Sequence, residues 1–71
     1  MRSVEAKHFV DKSVDLEYRD RVGNIYLVQA YIYDVGFLPM HGPCLIADIG
    51  EVRLDRVLTI SEVQGTERLA G

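Results

Sequence analysis

His41-Gly42-Pro43-Cys44 sets a histidine and a cysteine three residues apart, the pair in this sequence best suited to soft-metal or nucleophilic chemistry. A closed tetrahedral zinc site needs four ligands. The only recruits are His8, Asp34 and Asp48, and they fall in no recognisable spacing. A nucleophilic Cys44 would need a base to lower its pKa and a third group to orient that base, and no such pattern is present. We therefore expect Cys44 to be a small apolar residue of the core, and we expect no metal and no cofactor. Asp15 and Glu17 are the second candidate, since alternate residues of a strand stand about 7 Å apart on one side. Paired carboxylates do acid–base work where a cleft separates their pKa values. These two fall on the polar face of their strand, so solvated surface is the expectation. No glycine-rich phosphate loop or nucleophile elbow occurs, and an enzyme is not expected.

Arginine offers more. Arg53 and Arg56, with Arg19 and Arg21, would form a compact basic spot able to grip a phosphate or carboxylate in bidentate fashion. These four are the expected anion or nucleic-acid contacts. For Arg53 and Arg56 the favoured role is nevertheless structural, with Arg56 pairing with Asp55, Asp48 or Glu51 to pin the last turn of the barrel. Tyr26, Tyr31 and Tyr33, with Phe37, form the aromatic set. Aromatics serve small cores and protein interfaces, and beside arginines they stack nucleobases. We take these four as the expected partner-binding residues.

The elements that must position these groups read mainly as β. Ala6, Phe9 and Val10 have the spacing of a short amphipathic helix within residues 3–12, with Ser3 as its cap and Glu5 at its positive end. Val14, Leu16 and Tyr18 alternate with Asp15, Glu17 and Arg19, the pattern of a strand with one dry face. Asp20 to Asn24 supplies turn residues. The run Ile25 to Val35 has only Gln29 and Asp34 as polar members, and its tyrosines and β-branched residues favour a strand. Being apolar on both faces, it fits one long strand bent to serve both halves of a small barrel. Gly36 to Pro43 reads as a loop, Cys44 to Asp48 as a short strand, and Ile49-Gly50 as a tight turn. In the final segment Val52, Leu54, Leu58 and Ile60 share one parity, and Asp55-Arg56 marks a bend. These signals predict five strands closed or nearly closed into a small barrel, with an open sheet carrying one helix on its face as the alternative. They also predict a short N-terminal helix, one domain over residues 1–63 and a tail over 64–71.

Seventy-one residues bury only roughly 60% of their unfolded surface. A hydrophobic content of 48% in so small a chain favours apolar contact with a partner or a second copy, so we expect a homo-oligomer. A net charge of −3 speaks against broad binding along a phosphate backbone. One cysteine, no apolar leader and no span of roughly 20 apolar residues point to a soluble, cytoplasmic protein without a membrane partner.

Two resemblances sharpen the fold. Gly42-Pro43-Cys44-Leu45-Ile46-Ala47-Asp48 followed by Glu51-Val52-Arg53-Leu54-Asp55-Arg56-Val57 resembles the end of a WYL domain, an Sm-like small barrel. Leu16-Glu17-Tyr18-Arg19-Asp20 with Gly23 resembles that family's first hairpin, so the likeness covers roughly residues 12 to 63. Where that family has Trp-Tyr-Leu, this chain has Pro43-Cys44-Leu45, which departs from the aromatic part of a ligand site. The Glu51 to Val57 strand is also similar to one in bacterial Sm-like inhibitors of the transcription terminator Rho. Both resemblances imply a five-stranded Sm-like small barrel. They imply a non-catalytic regulatory module that contacts the transcription machinery through protein–protein interfaces. The WYL likeness also implies an alternative, a domain that binds a nucleic acid or a nucleotide.

Overall fold

The computed structural model describes residues 1–63; the expected tail lies outside them. Helix α1 (Ser3–Ala6) runs into a 3-10 turn at Lys7–Phe9, and five strands follow: β1 (Lys12–Arg19), β2 (Ile25–Leu38), β3 (Gly42–Ala47), β4 (Gly50–Arg53) and β5 (Val57–Glu62). A second 3-10 turn, Leu54–Arg56, joins β4 to β5. All neighbours are antiparallel, in a single sheet of order β4-β3-β2-β1-β5. The mainly β expectation with a short N-terminal helix is met. The sheet is not closed into a barrel, because β4 and β5 form its two unpaired edges.

The core follows from alternation. Val14 and Leu16 of β1 are fully buried while Ser13 and Asp15, which alternate with them, are exposed. They meet Ala30 and Ile32 of β2, Leu45 and Ala47 of β3, and Val52 of β4. Leu54 and Ala6 complete the cluster. Each of the larger side chains contributes about 1.5–3 kcal/mol by leaving water, a margin that matters in so short a chain. Ser3 does not cap the helix; it is the first helical residue, and the N-cap is Arg2, whose N–H donates to Glu5 Oε1 at 3.2 Å. Leu58 is exposed despite sharing parity with Val52, Leu54 and Ile60, because the β1–β5 register shifts there. Val57 pairs with Tyr18 and Thr59 with Glu17, so Leu58 is the extra residue of a bulge and Val57 and Ile60 both pack inward.

β2 carries the main departure from the sequence pattern. It runs through Gly36-Phe37-Leu38, and Phe37 pairs with Pro43 and Leu38 with Gly42, so the expected loop over Gly36 to Pro43 shrinks to the turn around Pro39–Met40. His41 N–H closes that turn on Leu38 O at 2.9 Å. Pro43 is tolerated because β4 begins pairing with β3 only at Cys44, so no partner on that side awaits its missing N–H. The register shifts between Ile32 and Asp34, a bulge beside which Val35 N–H donates to Asp34 Oδ1 at 2.8 Å. Before the bulge the even residues Ala30 and Ile32 face the core; after it the odd residue Val35 does. This explains a strand that reads as apolar on both faces.

Fourteen residues of β2 would span about 45 Å if straight. Yet Asp20, before its start, and Leu38, at its end, border a single cavity of ≈ 290 Å³. β2 is therefore sharply bent, and the sheet curls until the β1–β2 turn faces β4 and the β4–β5 turn across an open seam that no β5 residue borders.

Candidate functional site

Two adjoining cavities occupy this seam. The first, ≈ 290 Å³, has walls from Tyr18, Leu38, His41, Cys44, Val52 and the acidic Glu51; the second, ≈ 320 Å³, is bordered by Arg21, Gly23 and Asp55. Arg19, Asp20, Arg53 and Arg56 line both. All four sequence-nominated arginines thus meet at the second cavity, from the end of β1, the turn after it, the end of β4 and the 3-10 turn.

Each pair is placed by local chemistry. Arg19 and Arg21 flank Asp20, whose carboxylate is the knot of the β1–β2 turn. Asp20 Oδ1 accepts from Val22 N–H and Asn24 N–H, both at 2.9 Å, and Oδ2 accepts from Asn24 Nδ2 at 3.1 Å and Tyr26 Oη at 3.0 Å. Gly23, at φ +98°, supplies the left-handed residue this turn demands. Desolvation pushes the Asp20 carboxyl up, but the hydrogen bonds from Asn24, Tyr26 and Val22 outweigh it and hold the group at about 2. The same contact raises the Tyr26 hydroxyl above its ordinary value. On the other wall, buried Leu54 anchors the 3-10 turn, in which residues i and i+3 eclipse. Arg53 and Arg56 have that spacing.

Charge in the second cavity is unbalanced: four guanidinium groups face two carboxylates, and both carboxylates are engaged. Asp20 is tied up in its own turn, and Asp55 Oδ2 accepts from Arg53 Nη2 at 3.1 Å. The ion pair expected of Arg56 with Asp55, Asp48 or Glu51 is therefore not formed; Asp55 pairs with Arg53. Asp48 instead accepts from Tyr31 N–H at 3.0 Å and donates its own N–H to Tyr31 O at 3.1 Å. Arg53 Nε is buried and has no hydrogen-bond partner. Among the described residues the ion pairs are Arg53–Asp55 and Lys12–Glu62, which leaves Arg19, Arg21 and Arg56 without a carboxylate partner.

The aromatic set is not brought together. Tyr26 lies on the core-facing side at the start of β2, opposite Tyr18, with ring centroids 5.4 Å apart. Tyr31 and Tyr33 meet edge to face at 5.3 Å on the opposite face, and Phe37 projects near the β2–β3 turn. Tyr18, absent from the sequence-based set, lines the cleft; its parity with Val14 and Leu16 was a signal for the inner face, but the cleft at the strand's end was not legible.

His41 and Cys44 both border the first cavity. Cys44 is buried, as expected of a small apolar residue, and burial pushes its thiol above the ordinary value against the opposing pull of Arg53. That direction disfavours the thiolate needed for attack. Among the described residues no three His, Cys, Asp or Glu side chains are grouped to hold a metal ion. Asp15 is exposed, and Glu17 Oε1 accepts from Thr59 Oγ1 at 3.3 Å, which places both on the outer surface of the sheet. Among the described residues no helix is long and apolar enough to cross a membrane. No family model, curated protein or solved structure matches the chain.

Proposed function

We propose that this protein is a non-catalytic binding module whose seam cleft holds an anionic group, a phosphate or a carboxylate. The observation that carries this is the meeting of Arg19, Arg21, Arg53 and Arg56 at one cavity whose two carboxylates are already engaged. Guanidinium groups grip such anions with paired, charge-assisted hydrogen bonds. The curled sheet, with β4 and β5 joined by a short turn, supports the Sm-like small-barrel reading. The resemblances supply the context: a regulator of transcription that binds a nucleotide, a nucleic acid or an acidic part of a protein.

A second reading, docking of a protein on the outer face of β2, is favoured by Leu27 and Tyr33, which stand 75% and 55% exposed there. Under it, self-association would add strands at the unpaired β4 and β5 edges.

Arginine side-chain NMR during titration with pyrophosphate and with citrate tests the first reading. Saturable shifts of the Arg19, Arg21, Arg53 and Arg56 Nε–H signals are expected, with affinity falling steeply from about 50 to about 200 mM salt. If neither anion moves these signals, the cleft is not an anion site.

A further inference from the structure

The cleft has a rim that an anion filling it would not touch. Met40, between Leu38 and His41 on one wall, is 86% exposed, and Val22, between Arg21 and Gly23 on the other, is 74% exposed. Phe37, next to Leu38, is 73% exposed. None of the three lines either cavity. A small anion or a mononucleotide seated inside would leave all three in water.

We propose that the occupant is a short acidic segment of a partner protein, with apolar side chains interleaved among its carboxylates. Its carboxylates pair with the arginines, and its apolar residues cover Met40, Phe37 and Val22 as the chain leaves the cleft. This deepens the anion-site reading and rests on it. Charge favours such an occupant over the other large anions. The chain carries −3 overall, so the positive cleft is a local exception on an acidic molecule. At physiological salt, fields reach only about 8 Å. A short segment entering the cleft feels chiefly the arginines, whereas an anionic bilayer or a long nucleic acid extends beyond them over a molecule whose remaining charge is negative. Concavity points the same way: the guanidinium groups line hollows of ≈ 290 and ≈ 320 Å³, not a flat plane that could lie on headgroups. The apolar turns beside them are the hydrophobic contact that an acid-only segment would leave unused.

The test uses a fluorescein-labelled peptide in which Asp and Glu alternate with Phe and Leu, and a control with the same acids but Ser at the apolar positions. Anisotropy is expected to show the first binding at least tenfold more tightly. Met40→Ser and Phe37→Ser should each weaken it by roughly three- to tenfold while leaving pyrophosphate binding unchanged. Both side chains are exposed, so these variants should fold normally, which a thermal melt checks. If pyrophosphate binds but the two peptides bind equally, the peptide proposal is overturned and the anion site stands. Should phosphatidylglycerol vesicles bind while the peptides do not, the rim serves a bilayer and the proposal is wrong. Absence of binding by peptides and pyrophosphate alike overturns both.

Discussion

Replacing Arg53 and Arg56 in turn separates structural from binding roles in the Glu51 to Val57 segment. Arg53 makes a contact that Arg56 does not: its Nη2 pairs with Asp55 at 3.1 Å, with the two side chains 34% and 64% exposed. A pair that open to solvent is worth about 0.2–1 kcal/mol. Arg53→Ala also removes the stem beside Cys44, its partner in the β3–β4 register, so a total of about 1–2 kcal/mol is expected. In a domain this small each kcal/mol moves Tm by roughly 4–8 °C, so Arg53→Ala should melt about 5–15 °C lower. Arg56→Ala, with no carboxylate partner among the described residues, should stay within about 0.5 kcal/mol of the parent. For binding the two should look alike. A hydrogen bond to a charged group is worth about 1.5–3 kcal/mol, so each variant should lose roughly 10- to 150-fold in pyrophosphate affinity. Circular dichroism melts and calorimetric titration give the two quantities on the same samples. If Arg53→Ala lowers Tm and both variants bind like the parent, the arginines serve only the fold and the anion-site argument fails.

Three further outcomes follow from the geometry. Leu16→Ala, at a fully buried core position, should cost about 2–5 kcal/mol in chemical denaturation, which in so small a domain approaches loss of folding. Gly50→Ala, at φ +115° where β4 begins after the β3–β4 turn, should cost about 1–2 kcal/mol through backbone strain, although a Cβ there would meet nothing; an unchanged melt would mean the turn relaxes. Asp20 has its folded pKa depressed to about 2 from 3.8, so its stabilisation is full above the unfolded value and is lost as pH falls through the folded one. An NMR titration of its carboxyl carbon should therefore show a midpoint near 2, and a midpoint near the unperturbed value would mean the turn's hydrogen bonds are absent in solution.

The sequence disclosed what is local and concealed what is long-range. The alternation of Val14 and Leu16 with Ser13 and Asp15 placed β1 and its dry face, Asp20 to Asn24 announced a turn, and Asp55-Arg56 marked the bend that became the Leu54–Arg56 turn. The loop expected over Gly36 to Pro43 was misread because glycine and proline signal irregularity only where the backbone needs every donor. Here Pro43 sits where β4 does not reach. The division of the tyrosines between two faces follows from position along a bent strand and from the bulge after Ile32, neither of which leaves a mark in periodicity. Grouping Arg19 and Arg21 with Arg53 and Arg56 could be hypothesised from residue type alone. Their convergence depends on the bend of β2, a property of the whole sheet.

That bend makes the cleft a clasp between distant parts of the chain. One wall comes from the first hairpin and the other from the end of β4 and the β4–β5 turn, and no strand pairing joins β1 to β4 across the gap. Contacts between segments so far apart in sequence close late and open early, so the seam is where this domain should begin to come undone. A ligand bridging it would lock the fold as well as occupy a site, adding about 2.7 kcal/mol at a hundredfold excess over Kd. In a domain of this size that is a rise in Tm of roughly 10–20 °C, so a thermal-shift screen of short acidic peptides would detect a true occupant through the stability of the whole molecule.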